Sequence, residues 1–126
     1  MQLNKFMEDI IKEKVEKAIK IKLDQLQNDG KLVVKKGSEV LKVESLYEIT
    51  VLGVKQLSDP KNIWEFNGIC RISISNQPES HSSTDKLWHF NGEADIELTM
   101  IKSEVHVNKI EIVDNQIFVV QHPYMK

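Results

Sequence analysis

The chain changes its hydrophobic period once. Up to about residue 29, apolar positions recur every three or four residues: Leu3, Phe6, Met7, Ile10, Ile11, Val15, Ala18, Ile19 and Leu26. That spacing lays one stripe along an α-helix, predicted over residues 2–29. Acid-before-base pairs four apart (Glu8 with Lys12, Glu13 with Lys17, Glu16 with Lys20) support the same helix from its solvent side. Asp29-Gly30 marks its end, since glycine accepts the left-handed conformation that closes a helix. The next stretch, KLVVKKGSEVLKVE over residues 31–44, fits either two short strands around Gly37 or a brief second helix.

After Ser45 the period becomes two, which is the mark of strands with one buried face. Five strands are predicted, over residues 46–57, 62–75, 86–102, 104–113 and 116–121. Asp59-Pro60 breaks the first pair, and the polar run NQPESHSSTDK separates the second strand from the third. Asp114 and Asn115 both tolerate positive φ and suit a two-residue turn. One long helix followed by a meander predicts an α+β fold in a single domain, residues 1–126. The N-terminal helix packs on a curved antiparallel sheet of four to five strands. At the level of fold this outline resembles cystatin-like and NTF2-like rolls. The nearest approach to a family motif, Ile49-Thr50-Val51-Leu52-Gly53, lacks the glutamine that opens the cystatin inhibitory loop.

Two of the predicted strands nearly repeat one another: WEFNGICRISI from Trp64 and WHFNGEADIEL from Trp88. Alternation turns Trp64, Phe66, Gly68, Cys70, Ile72 and Ile74 to one face, as it does Trp88, Phe90, Gly92, Ala94, Ile96, Leu98 and Met100. Pairing around the 76–85 loop with Ile74 opposite Trp88 and Cys70 opposite Gly92 gathers the small residues at mid-sheet. A glycine inside a strand needs a close approach to justify it, and the helix lying across the sheet supplies one. The competing expectation is a ligand pocket walled by Trp64, Phe66, Trp88 and Phe90, with Tyr47 nearby.

Other chemistry is sparse. His89, Glu93, Asp95 and Glu97 share a strand face, but alternate residues stand about 6.5 Å apart, too far to converge on one small ion. His81, His106 and His122 have no ligand-spaced partners, so no metal is expected. Cys70, the single cysteine, suits a small buried thiol. With no acid or base on the inward strand faces, no catalytic residue and no cofactor are assigned, and the chain is read as non-enzymatic.

Charge narrows the partners. The chain has a net charge of -2 and a single arginine, Arg71, so it lacks the forked donors that grip phosphate. Nucleic acid is not an expected partner. Nor is a membrane: the helix balances six lysines against five acids through residue 24, and no long apolar run exists. A cytoplasmic location is the expectation. Apolar character remains on both faces of residues 46–54 and along Ile117-Phe118-Val119-Val120. Such strands invite pairing unless covered. Leu46, Leu52, Val54, Ile117, Phe118 and Val119 therefore form a candidate interface. The functional expectation is a small homodimeric or partner-bound module for protein binding. The alternative is a small-molecule binder or NTF2-like enzyme with its pocket between helix and sheet.

Overall fold

The computed structural model describes residues 5–41, 43–74 and 86–121. Leu3, the 76–85 loop with His81, and the C-terminal His122 lie outside the described residues. Helix α1 (Lys5–Asn28) is followed by seven strands: β1 (Val33–Lys36), β2 (Glu39–Leu41), β3 (Val43–Gln56), β4 (Ile63–Ile74), β5 (Lys86–Ile101), β6 (Glu104–Ile112) and β7 (Gln116–Gln121). All seven belong to one mixed sheet in the order β2-β1-β7-β5-β4-β3, with β6 also paired to β5. The fold is α+β as expected, but the sheet exceeds four to five strands. The extra two come from the ambiguous segment after the helix. Gly37, at φ +62, turns β1 back onto β2, and β1 then pairs in parallel with β7.

The helix is held by a continuous stripe, of which Val15, Ile19, Leu23 and Leu26 are buried. Burying each such side chain is worth roughly 1.5–3 kcal/mol. Its end follows the physics of Asp29-Gly30. Gly30 sits at φ +70, the Gly30 N–H donates to the Gln27 carbonyl at 3.1 Å, and the Lys31 N–H donates to the Leu26 carbonyl at 2.8 Å. This pair of bonds is the Schellman closure. The helix packs chiefly on β3 and β6.

The repeated motifs pair antiparallel, with a register that differs from the expected one. Trp64 stands opposite Ala94, Phe66 opposite Gly92, Gly68 opposite Phe90, and Cys70 opposite Trp88. Each aromatic faces a small residue, so rings and gaps interlock instead of gathering into separate zones. A Cβ on Gly68 would stand 2.5 Å from Phe90 Cζ and would press on the Thr50 carbonyl oxygen; one on Gly92 would stand 2.7 Å from Phe66 Cζ. The close approach that calls for glycine is therefore the cross-strand ring, joined at Gly68 by the Thr50 carbonyl of the neighbouring strand, and not the helix. The Phe66 and Phe90 rings meet edge to face at 6.1 Å and 61°, an arrangement worth about 0.5–1.5 kcal/mol beyond burial.

Strand β3 corrects a second expectation. Its register against β4 shifts at three places, and Glu48 there adopts φ +53. The shifts between Tyr47 and Thr50 and between Val51 and Gly53 re-phase the side chains. As a result Leu46, Ile49, Val51 and Val54 all pair with inward β4 positions or pack into the core. The bulges gather four of its apolar residues onto the inner face and leave Tyr47 and Leu52 exposed.

The turn at Asp114-Asn115 also acts differently. Both residues have positive φ (58° and 54°), as their types allow. They do not reverse the chain, however: β6 and β7 both run antiparallel to β5, end to end along the same edge. Between them Val113–Asn115 form a short 3-10 turn. Opposite it, at Gly92 and Glu93, neither strand's ladder pairs with β5.

Among the described residues, no helix is long and apolar enough to cross a membrane.

Candidate functional site

The interruption between β6 and β7 opens a cleft of about 640 Å³. It spans the middle of four strands, from Gly53 and Lys55 on β3, through Glu65 and Asn67 on β4 and Asn91 and Glu93 on β5, to Gln116 and Phe118 on β7. Register places these residues in rows. Gly53 pairs with Asn67, Asn67 with Asn91, and Asn91 with Phe118. In the next row Lys55 pairs with Glu65, and Glu65 with Glu93. Because Phe66 and Phe90 are buried in the core, the alternate residues Asn67 and Asn91 face away from the helix, and both are exposed. The cleft therefore lies on the outer face of the sheet. Gly53 helps to keep it open, since a Cβ there would lie 3.4 Å from the Asn67 amide nitrogen.

The motif Trp-x-Phe-Asn-Gly thus serves two faces. Its Trp, Phe and Gly build the interlock beneath the helix, while its Asn, twice used, floors the cleft. Asparagine is among the residues least favoured in strands, and here two stand directly opposite one another in central strands. Packing does not account for them. The sequence carries this signal in the repeat itself, but it becomes legible only once the register makes the two asparagines neighbours.

Of the pocket residues expected from sequence, Phe66 reaches the cleft and Trp64 a groove beside the helix. Trp64, Phe66, Trp88 and Phe90 are 1–4% exposed and fill the core. Tyr47 is on the outer face, opposite Arg71 and 37% exposed. A smaller groove of about 250 Å³ runs between the first turns of α1 and the sheet, lined by Ile11, Val54 and Trp64 among others. The Trp88 indole nitrogen is buried with no hydrogen-bond partner among the described residues, and the Lys36 ammonium lies 5.4 Å from its ring centroid. Of the candidate interface, Leu46, Val54, Ile117 and Val119 belong to the core, whereas Leu52 and Phe118 are exposed. Cys70 is fully buried, and burial pushes its thiol pKa up to about 12, so at neutral pH it is a protonated, unreactive packing group.

Outer-face acids continue beyond the cleft. Asp95 lies directly opposite Glu111 and accepts a hydrogen bond from the Asn62 amide at 3.0 Å. Like charges directly opposite one another destabilise a sheet. Replacing Glu93, Asp95 and Glu97 together with glutamine is therefore expected to leave the fold intact. Relief of the Glu65–Glu93 and Asp95–Glu111 pairs, about 0.2–1 kcal/mol each, is offset in part by loss of the Glu97–Lys109 pair, so stability should change little, as read in urea denaturation. A loss of cooperative unfolding would show that these carboxylates do more than solvate the face. Among the described residues no group of three or more His, Cys, Asp or Glu side chains is placed to hold a metal ion.

No family model matches this sequence, and comparison with curated proteins and with solved structures finds no match.

Proposed function

We propose that the chain is a non-enzymatic protein-binding module that associates with a second copy of itself through the outer face of its sheet. The observation that carries this reading is a group of exposed apolar side chains at the β2-β1-β7 end. Val40 pairs with Lys35, and Lys35 with Phe118, so these share the outer face. Val120 lies two residues further on the same side of β7. Val40, Phe118 and Val120 are 65%, 38% and 63% exposed. The helix covers only the opposite face, and exposed apolar side chains grouped on either side of the Lys35 stem favour an interface there. The free edge of β3 is a poorer docking element, because its bulges break the regular ladder that an added strand needs. The non-enzymatic part rests on the interior, since the buried residues among those described are apolar throughout.

A specific dimer interface should bury on the order of 1,000 Å² or more in total. Light scattering at micromolar concentration is expected to give twice the chain mass, and Val120→Lys to give a folded monomer whose melting temperature no longer rises with protein concentration. A clean monomer for the unmodified protein sinks the proposal. The closer likeness to cystatin-like or NTF2-like rolls belongs to the same proposal, supported by the long helix on a bent antiparallel meander. So does a cytoplasmic setting, supported by a lone, buried, unpaired cysteine. The same reading has no nucleic acid, membrane or metal among the partners, and a single arginine supports the first of these.

A further inference from the structure

We infer that the outer cleft binds a small organic ammonium ion carrying one positive charge on a compact apolar body. The inference rests on the proposal that the outer face is the working surface, and it goes beyond it by assigning a ligand class to the central cleft.

Size comes first. A volume of about 640 Å³ falls within the range of small-molecule sites. Charge comes next. Lys55, Glu65 and Glu93 stand in one cross-strand row, so the row sums to a single negative charge at neutral pH. Glu65 and Glu93 are directly opposite each other, an arrangement that costs stability when the cleft is empty. A monovalent cation between them cancels the net charge and removes that repulsion. Lys55 on the far side of Glu65 disfavours a divalent one.

The remaining lining fits an ammonium group in particular. Asn67 and Asn91 place two side-chain carbonyl oxygens beside the carboxylates, and these accept from N–H donors. Hydrogen bonds between an ionised donor and such acceptors are among the stronger ones. Phe118, opposite Asn91 and part of the lining, offers a ring to the cation and an apolar wall to its body. A neutral polyol would use the carboxamides but leave the Glu65–Glu93 repulsion in place.

The test uses the full chain at pH 7 and low salt, with benzylamine as probe and benzyl alcohol, glucose and calcium chloride as comparisons. Titration calorimetry is expected to give one benzylamine site per chain, with benzyl alcohol about tenfold weaker or worse. The same titration followed by NMR should shift the side-chain amide resonances of Asn67 and Asn91. Glu93→Gln should weaken benzylamine about tenfold without lowering the melting temperature and without changing the mass found by light scattering, which separates this site from self-association. Equal affinity for benzyl alcohol, tighter binding of glucose or calcium, unmoved Asn67 and Asn91 signals, or full binding by Glu93→Gln would each overturn the assignment.

Discussion

Gly68→Val is expected to leave no cooperatively folded protein at room temperature. The valine would place its Cβ against the Thr50 carbonyl oxygen, a backbone atom of the neighbouring strand, and 2.5 Å from Phe90 Cζ. Valine favours strands over glycine by at most about 1 kcal/mol. Overpacking of a close-packed core costs about 1–3 kcal/mol even where neighbours yield. Here one neighbour is backbone held in a ladder, so the loss should exceed that range. Gly92 provides the control. Its nearest neighbours are Cζ and Cε1 of Phe66, atoms at the end of a side chain, with the Gln116 carbonyl oxygen at 3.3 Å. Gly92→Ala should therefore be destabilising but recover in part when combined with Phe66→Leu. Gly68→Ala should not recover with Phe90→Leu, since the Thr50 carbonyl remains. Thermal melts followed by circular dichroism decide the matter. If Gly68→Val melts within about 2 °C of the unmodified protein, the interlock of rings and glycines is wrong.

Much of the architecture was legible because it follows from local period. The stripe Ile11, Val15, Ile19, Leu26 required a helix, and Gly30 required its end. Strand limits near residues 63–74 and 86–101 fell out of plain alternation. Parity also required that the two Trp-x-Phe-Asn-Gly segments pair through the same face. Parity alone does not choose between registers two residues apart on each strand. The choice is made by volume, since four aromatic rings opposite four small residues fill space evenly, whereas the expected register sets rings opposite isoleucines and leaves small residues facing one another.

What the sequence hid shares a physical cause: bulges. In β3, Glu48 takes a positive φ that an alternation count cannot anticipate, and the count then assigns Leu46 and Ile49 to opposite faces. At Val113–Asn115 the chain leaves β5 and rejoins it, so Asp114-Asn115 reads as a hairpin turn when it is a kink in one long edge. The cleft is a consequence of that kink and of Gly53, neither of which announces itself as a site residue. The asparagines did announce themselves, through repetition, but their meaning needed the register.

Ile117→Asp is expected to destabilise the chain severely, whereas Val120→Lys, three residues along the same strand, should cost no more than the self-association it removes. Sequence makes the two positions look alike, both in an unbroken apolar run. Ile117 is 1% exposed and pairs with Val34, itself fully buried, on β1. An aspartate there must either ionise in apolar surroundings or stay protonated with its polar atoms unpaired. Either outcome costs several kcal/mol, on the order of 4 or more once the lost isoleucine packing is added. Against a total stability of about 5–15 kcal/mol, that removes a large share of the folding free energy and brings the midpoint to a much lower urea concentration. Val120 is 63% exposed on the outer face, where substitutions usually stay within about 0.5 kcal/mol. Val54→Lys should fall between the two. Its side chain is 9% exposed at the margin of the cleft, and a lysine can carry its ammonium out along an apolar stem. Urea denaturation of the three variants orders them. If Ile117→Asp proves as stable as Val120→Lys, the inner face of β7 is not core. The parallel pairing of β1 with β7 would then fall, because Val34 and Ile117 would no longer share a buried layer.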